Sequence, residues 1–193
     1  MRPIGHITQL QVQTAPLKQG PRPNQNNDPT SLCEVGKLRL NEYGVTGLTE
    51  NRELIDLHNT HHPESRQSAG KNGISFNFTS HYARMEARFG PHLAIGSAGE
   101  NIIIASDQPF TLQELGAGIV VTNQAGDAVR LGQLMVAAPC KPFSRFALEL
   151  DGVIEPAMIK ETLQFLDGGM RGFYCRLDGK ETVIELGSPV YLK

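Results

Sequence analysis

The chain contains 193 residues, of which 39% are hydrophobic and 20% are charged, and its formal net charge is -2 at pH 7. A chain of this length can bury a sizeable core, so we expect a single soluble domain over residues 1–193. The small net charge excludes a strong attraction to nucleic acid, and no apolar run approaches the roughly 20 residues that a membrane-spanning helix requires.

The cysteines indicate a reducing compartment. Cys33, Cys140 and Cys175 are far apart in the sequence and odd in number, which argues against a disulfide framework. The N-terminus also lacks the basic, apolar and small-residue pattern of a signal peptide. We therefore predict a cytoplasmic protein with free thiols.

Short apolar runs separated by glycine and proline predict a mainly β fold. Residues 4–12 alternate apolar and polar side chains, as a half-buried strand does, and His6 falls on the polar side. Residues 19–30 predict a surface loop because they are rich in proline and amides, and two glycines predict a turn within residues 41–48, after a strand over residues 36–40. Further strands are predicted over residues 74–78, 102–105, 118–123, 128–138, 171–177, 182–186 and 189–192.

A few short helices complete this prediction. Ser80 is a candidate N-cap for a helix that extends to Phe89, and the clearest helical pattern covers residues 156–166. Residues 111–115 are too short to classify. Asp178-Gly179 fits a tight hairpin between the last strands.

The most distinctive segment is the apolar run that ends at Pro139-Cys140-Lys141-Pro142. The two prolines restrict the backbone, so we expect Cys140 in a rigid loop. Lys141 and Arg145 follow it closely, and nearby cations favour the thiolate form of a cysteine, which is both a nucleophile and a soft-metal ligand. Cys140 is therefore a candidate reactive centre. The alternative is a half-buried loop cysteine without a chemical role.

A second informative segment covers residues 96–105, in which glycines precede Glu100, Asn101 and an apolar β-branched run. Glycine and other small residues allow a tight turn or a close approach to a ligand. The carboxylate and the amide could orient a polar ligand at the start of a core strand. They could equally hold the turn through local hydrogen bonds.

Three of the six histidines cluster at His58, His61 and His62. Helical spacing would place His58 and His62 on one face, where imidazoles could bind zinc. Pro63 and the polar residues 64–73 indicate a loop instead, without a cysteine or carboxylate at a recognisable ligand spacing. A polar loop near the mouth of a cavity is the interpretation we favour.

The order of these features resembles the MOSC family, which is named after the C-terminal part of molybdenum-cofactor sulfurases. The resemblance rests on the Gly-x-x-Gly-Leu sequence at residues 44–48, on Gly99-Glu100-Asn101-Ile102, on Pro139-Cys140-Lys141 and on Arg171-Gly172. It extends over roughly residues 4–192, as a single domain. It implies a mainly β fold, namely a strongly bent β-barrel with a few short helices.

The resemblance also implies a functional site. Cys140 corresponds to a family cysteine that is proposed either to carry sulfur as a persulfide or to coordinate the molybdenum of a pterin cofactor. Arginine and lysine side chains could bind the phosphate of that pterin. The residues expected at the cofactor pocket are Gly99, Glu100, Asn101, Lys141, Arg145 and Arg171.

The leading hypothesis is a molybdenum-cofactor-linked sulfur carrier, or a molybdenum-binding oxidoreductase, that acts through Cys140. In the first case a cysteine desulfurase would be the partner, and the pyridoxal phosphate would belong to that partner. In the second case the partner would be a molybdoenzyme or a reductase.

Two departures from the family pattern motivate alternatives. Many members carry an acidic, a basic and a histidine residue where this chain has Thr49-Glu50-Asn51-Arg52, and an arginine where it has Ala137-Ala138. A non-catalytic ligand-binding module on the same barrel is therefore an alternative. A thiol redox sensor, in which Cys33 or Cys175 approaches Cys140, is another.

Overall fold

The computed structural model describes residues 1–66, 72–149 and 155–193, and most of the regular structure is β-strand. The strands are β1 (Pro3–Gln13), β2 (Lys18–Gln19), β3 (Asn26–Asn27), β4 (Leu32–Glu34), β5 (Lys37–Asn41), β6 (Gly44–Leu48), β7 (Glu53–Ile55), β8 (Ile74–Phe78), β9 (Ile102–Ala105), β10 (Ile119–Thr122), β11 (Ala128–Val136), β12 (Phe173–Asp178), β13 (Thr182–Glu185) and β14 (Pro189–Leu192). The helices are α1 (Thr79–Phe89), α2 (Leu112–Leu115), α3 (Lys141–Leu148) and α4 (Pro156–Leu166), with a 3₁₀ turn at Pro29–Ser31. Within these residues every helix is too short or too polar to cross a membrane.

Seven of these strands close into a barrel. Around the ring they follow the order β1, β14, β10, β11, β12, β8 and β9, and β9 pairs again with β1. The β8–β9 pair is parallel and the other neighbours in the ring are antiparallel. A second sheet has the order β13-β5-β6-β7, β4 extends β1, and β2 with β3 forms a hairpin. The predicted mainly β barrel with short helices is confirmed.

The pairing register explains how distant segments come together. Phe76, in the middle of β8, pairs with Phe173 on one side and with Ile102 on the other. Residues 171–172 and residues 99–101 precede these two partners, so they flank β8. Val136 pairs with Phe173, and the chain therefore leaves β11 towards Cys140 beside the start of β12.

Two apolar clusters support this arrangement. The larger one fills the barrel with aliphatic and aromatic side chains from its strands, including Ile7, Phe76 and Phe173, each at most 1% exposed. The smaller one packs α1, α3 and α4 against the outside of the barrel. Its buried members are Tyr82, Met85, Leu93, Ala98, Ile103, Phe143, Ala147 and Leu166, and Cys140 packs against their edge.

The two predictions about strand connections have different outcomes. The turn predicted within residues 41–48 is present at Glu42 and Tyr43, between β5 and β6, but both glycines lie in β6, which is paired by β5 and by β7. Asp178-Gly179 does not close a hairpin between β12 and β13. Instead β12 pairs with β8 and β11 in the barrel, whereas β13 leaves to pair with β5 in the second sheet.

Predictions for the helices are mostly confirmed, with differences at their ends. The α4 bounds match the prediction, and α1 ends at Phe89 with Gly90 as its C-cap. However, α1 begins at Thr79, so Ser80 lies in the first turn and is not its cap. Within residues 111–115 the segment Leu112–Leu115 forms α2, and its N-cap Thr111 makes a capping box with Glu114. Residues 19–30 contain the β2–β3 hairpin, and the predicted loop over residues 64–73 lies partly outside the described residues.

The buried His81 of α1 makes the stability of the fold depend on pH. Burial lowers the pKa of His81 from 6.5 to about 4, and its Nε2 accepts a hydrogen bond from the backbone N–H of Phe110 at 3.1 Å. The native ring is therefore neutral at pH 5, while the unfolded chain binds a proton below pH 6.5. The contribution of His81 to stability is present above pH 6.5 and is lost as the pH falls towards 4.

We predict that urea unfolding shows a loss of about 2 kcal/mol between pH 7 and pH 5 that disappears in His81→Gln. The glutamine keeps a hydrogen-bond acceptor but does not titrate. His6→Gln, at an exposed position, should retain the loss. An equal loss in wild type and His81→Gln would contradict this assignment.

Candidate functional site

A cavity of about 630 Å³ is the candidate functional site. Its wall combines the β2–β3 hairpin, residues 57–66, the turn before β9, the segment after β11 and the start of β12. Cys140, Arg171, Glu100 and Gly99 all line it. The volume lies in the range of small-molecule and cofactor sites.

Cys140 occupies the N-cap of α3 rather than a loop. Its backbone is extended, with φ -132° and ψ 152°, and its carbonyl oxygen accepts the first helical hydrogen bond from the N–H of Ser144 at 3.0 Å. Pro142 lies in the first turn, where the missing N–H costs no helical hydrogen bond, so the two prolines are compatible with a helix start. The Cys140 side chain is half-buried, makes no capping bond and lines the cavity.

Arg171 connects two segments of the cavity wall, namely the residues just before Cys140 and the turn before β9. Its Nη1 donates to the carbonyl oxygen of Ala138 at 3.1 Å, and its Nη2 donates to that of Ala98 at 3.4 Å. The guanidinium also lies over the ring of Phe143, at 5.3 Å from the centroid. Its Nε is buried and has no partner among the described residues. The positive charge of Arg171 is therefore held in a fixed position on the same cavity wall as Cys140.

Glu100 is a buried carboxylate, 3% exposed, with a set of hydrogen-bond donors around it. The hydroxyl of Tyr82 donates to it at 2.6 Å and the Nδ2 of Asn77 donates at 2.9 Å. Burial raises the pKa of Glu100, while these hydrogen bonds and the charge of Arg171 act in the opposite direction. Burial and the neighbouring carboxylate raise the pKa of Tyr82 as well. The carboxylate thus holds the turn before β9 against α1.

Asn101 serves the structure of the turn and does not line the cavity. Its Oδ1 accepts hydrogen bonds from the backbone N–H and the hydroxyl of Ser75, at 3.1 and 2.9 Å. Its Nδ2 donates to Asp56 at 3.0 Å and to the carbonyl oxygen of Gln11 at 3.3 Å. Of the two sequence interpretations, local hydrogen bonding describes Asn101, whereas Glu100 both holds the turn and faces the cavity.

Of the three cations that the sequence analysis expects at the pocket, only Arg171 lines the cavity. Lys141 is exposed and lies outside the cavity wall, as does Arg145, whose Nη2 donates to the Oδ1 of Asn24 at 3.1 Å. The cations that line the cavity together with Arg171 are Lys18, Arg22 and Arg66. Sequence reasoning missed these three because they precede Cys140 by long stretches of chain. The only available signal was the basic character of the polar segment around residues 18–22.

The three histidines have different surroundings. His58 lines the cavity, whereas the ring of His61 stacks on Tyr43 at a centroid distance of 4.0 Å. The Nδ1 of His62 accepts a hydrogen bond from the backbone N–H of Glu64 at 3.1 Å. Within residues 1–66, 72–149 and 155–193, no group of three or more histidine, cysteine or acidic residues is placed to hold a metal ion. The loop interpretation therefore fits the cluster better than a zinc site.

The chain is thus a small mixed β-barrel domain with a cavity beside which a cysteine, an arginine and a buried Gly-Glu-Asn turn lie. A family model described as MOSC domain matches residues 66–191, so the chain belongs to the MOSC domain family. At the level of the family, this membership links the chain to the molybdenum cofactor and to sulfurase-type chemistry. No curated protein matches the chain significantly by sequence.

Two solved structures with TM-scores above 0.5 show the same fold at low sequence identity. The YUAD protein from Bacillus subtilis has a TM-score of 0.60 and 12% identity, and the match covers 98% of this chain and 96% of that chain. A hypothetical protein has a TM-score of 0.56 and 12% identity, with 98% and 67% covered. YiiM from Geobacillus stearothermophilus has a TM-score of 0.47 and 16% identity, with 100% and 74% covered.

The site requires a glycine at residue 172, because Phe76 and Glu100 lie close to its backbone, and this requirement can be tested. Gly172 has a φ of +98°, and a Cβ there would lie 2.8 Å from the carbonyl oxygen of Phe76 and 3.2 Å from the side chain of Glu100. We predict that Gly172→Ala lowers the free energy of unfolding by about 3 kcal/mol, from backbone strain and overpacking together. Urea unfolding measures this loss.

Gly187→Ala is the matched control for this substitution. Gly187 also has a positive φ, +81°, but a Cβ there would meet no atom of the described residues within 4 Å, its immediate chain neighbours aside. We expect a loss of about 1 kcal/mol there, from backbone strain alone. Equal losses at the two positions would show that the contact with Phe76 and Glu100 does not constrain the site.

Proposed function

We propose that this protein is a sulfur carrier of molybdenum-cofactor metabolism, and that Cys140 carries the sulfur as a persulfide. The observation that carries the proposal is the position of Cys140, on the wall of a cavity that a buried Glu100 and an arginine also line. A carrier thiol has to be reachable by a donor and an acceptor, and a half-buried cysteine at the edge of a cavity meets this requirement. The start of α3 next to Cys140 adds the positive end of a helix dipole.

The proposed sulfur transfer is a thiol–persulfide exchange. The sulfur of Cys140 attacks the outer sulfur of a persulfide on a cysteine desulfurase, the S–S bond of the donor breaks, and the donor cysteine leaves as a thiolate. Cys140 becomes the persulfide, so the exchange needs no external oxidant or reductant. The pyridoxal phosphate that releases sulfur from free cysteine belongs to the desulfurase. Because a persulfide survives best where disulfide formation is limited, the proposal places the protein in the cytoplasm.

The residues of the cavity also fit a molybdenum-pterin cofactor. The thiol of Cys140 is a soft ligand for the metal, and arginine suits the phosphate of a pterin. Arg171 lines the cavity, so its guanidinium charge lies where such a phosphate would bind. Lys18, Arg22 and Arg66 add positive charge to the wall. Gly99, with a φ of +93°, keeps the adjoining turn free of a side chain.

The second candidate function is therefore a molybdenum-binding oxidoreductase that works with a reductase or another molybdoenzyme. The observation that favours it is the group of four cations on the wall, which suits an anionic cofactor. When bound, the cofactor would supply oxygen-atom transfer or reduction of an N-hydroxylated compound. The protein would hold it through Cys140 and Arg171. Lys141 and Arg145 would act only through their more distant charges.

The two remaining alternatives receive less support. A non-catalytic binding module would use the same cavity and cations, but it gives no reason for a thiol on the wall. A redox sensor requires a second cysteine close to Cys140. Cys175 is buried in the barrel core and Cys33 packs against that core, whereas Cys140 packs against the outer cluster of α1, α3 and α4.

The sulfur-carrier function predicts a specific adduct. After incubation with a cysteine desulfurase and cysteine, intact-protein and peptide mass spectrometry should show a gain of about 32 Da on Cys140. Cys140→Ser should abolish the adduct, and the matched control Cys33→Ser should retain it, since Cys33 lies on β4 outside the cavity. An unmodified Cys140 in wild-type protein would refute sulfur transfer.

The cofactor function predicts different effects for neighbouring cations. In protein purified from a molybdenum-replete host, elemental analysis should find less molybdenum in Cys140→Ser and Arg171→Gln than in wild type, by roughly tenfold, because each loses a direct contact. Lys141→Gln should stay near the wild-type content, since Lys141 lies outside the wall. Negligible molybdenum in every protein, or equal contents in all four, would count against metal binding through this site.

A further inference from the structure

A buried carboxylate holds one histidine of the cavity in a fixed orientation. Asp56 is 0% exposed, and its Oδ1 lies 3.2 Å from the Nδ1 of His58 and accepts the backbone N–H of the same residue at 2.8 Å. The Oδ2 of Asp56 accepts the backbone N–H of Gln13 at 2.7 Å and the Nδ2 of Asn101 at 3.0 Å. Four contacts therefore fix this carboxylate.

The contact with Asp56 determines which ring nitrogen of His58 can react. A carboxylate only accepts hydrogen bonds, so the Nδ1 of His58 carries the proton and the Nε2 of the neutral ring keeps a lone pair. The His58 side chain is 32% exposed and lines the cavity that contains Cys140. In the described part of the chain no protein group bonds to its Nε2. The Nε2 atom of His58 is thus available to a molecule bound in the cavity.

The local turn alone does not require a histidine at this position. The turn needs only the bond from the backbone N–H of residue 58 to the Asp56 carboxylate, which any residue other than proline would supply. The additional contact between the ring and Asp56 is the arrangement by which a carboxylate orients a histidine for proton transfer. It resembles no metal site, since no third ligand stands beside the pair in the residues that the structure describes.

We propose that His58 is the general acid–base residue of the cavity and that Asp56 is its positioning residue. The inference rests on the sulfur-carrier function and adds a proton path to it. As the Cys140 sulfur attacks the outer sulfur of the donor persulfide, the Nε2 of His58 takes up the thiol proton through water in the cavity. The S–S bond of the donor breaks, and the departing thiolate then receives that proton from His58. Protons and electrons balance with the donor persulfide as the only co-reactant.

A pH-dependent test of His58 has to account for the other charged groups of the cavity wall. The cations are Lys18, Arg22, Arg66 and Arg171, and the carboxylates are Glu64 and Glu100. Cys140 and Tyr174 are the other titratable groups of the wall. Among the described wall residues His58 is the one imidazole, and histidines generally change charge between about pH 5 and 8. A pH dependence in that range that requires residue 58 therefore reports this ring.

The decisive variant is His58→Asn. The Nδ2 of asparagine takes the place of Nδ1, so the variant can still donate to Asp56 and preserve the loop, but it has no group in place of Nε2. The rate of persulfide formation on Cys140 should be measured by mass spectrometry, with glutathione persulfide as a small donor, from pH 5.5 to 8.5. We expect His58→Asn to react about 100-fold more slowly, with a ratio to wild type that changes with pH. His61→Asn, on the neighbouring loop, should react as wild type does.

Asp56→Asn tests the positioning role separately. Nitrogen NMR of the ring should show the Nδ1-protonated form of His58 in the wild-type protein and a mixture of tautomers in this variant, together with an intermediate rate. Unfolding measurements verify that each variant is folded.

The outcomes separate the two proposals. If wild type and His58→Asn react at equal rates across the pH range, the role of His58 is overturned while sulfur transfer stands. If wild-type Cys140 accepts no sulfur from either the desulfurase or glutathione persulfide, both proposals fall.

Discussion

The architecture of the site depends on burying Glu100 and Asn101 with complete sets of hydrogen-bond partners. Glu100 is tied to α1 through Tyr82 and to β8 through Asn77, and Asn101 is tied to Ser75 and to Asp56. A buried polar network of this kind costs free energy when any partner is missing, so it tolerates one arrangement of these segments. The turn before β9 is consequently held in one position relative to the neighbouring segments of the cavity wall.

The wall of the cavity has two parts with different origins. Cys140, Arg171 and the Glu100 turn lie within residues 66–191, which the family model matches, and the barrel register brings them around β8. Lys18, Arg22 and His58 precede the matched region. The proposed sulfur and metal chemistry thus draws its thiol from the family portion of the chain. Much of the charge of the wall, and the proposed proton path, come from the preceding segment.

The electrostatics of the cavity connect the two candidate functions. A thiol next to a helix start, with four cations on the same wall, suits an anionic persulfide donor and also suits an anionic pterin bound through a soft ligand. Both functions use the same sulfur atom, so they make competing demands on one residue. The pair of Asp56 and His58 favours sulfur transfer, because this reaction moves a proton at each exchange.

The sequence by itself determined the elements whose pattern is local. The alternation of residues 74–78 and the helical spacing of residues 156–166 predicted β8 and α4 with their bounds. The family resemblance predicted a pocket with Cys140, Glu100 and Arg171, and these three residues line one cavity. Only the tertiary structure decided that Gly44–Leu48 is a strand, that β13 leaves the barrel, and that Lys18 and Arg22 rather than Lys141 and Arg145 line the cavity. Side-chain periodicity is set by neighbours along the chain, whereas strand partners and the convergence of charges are set by contacts between residues far apart in sequence.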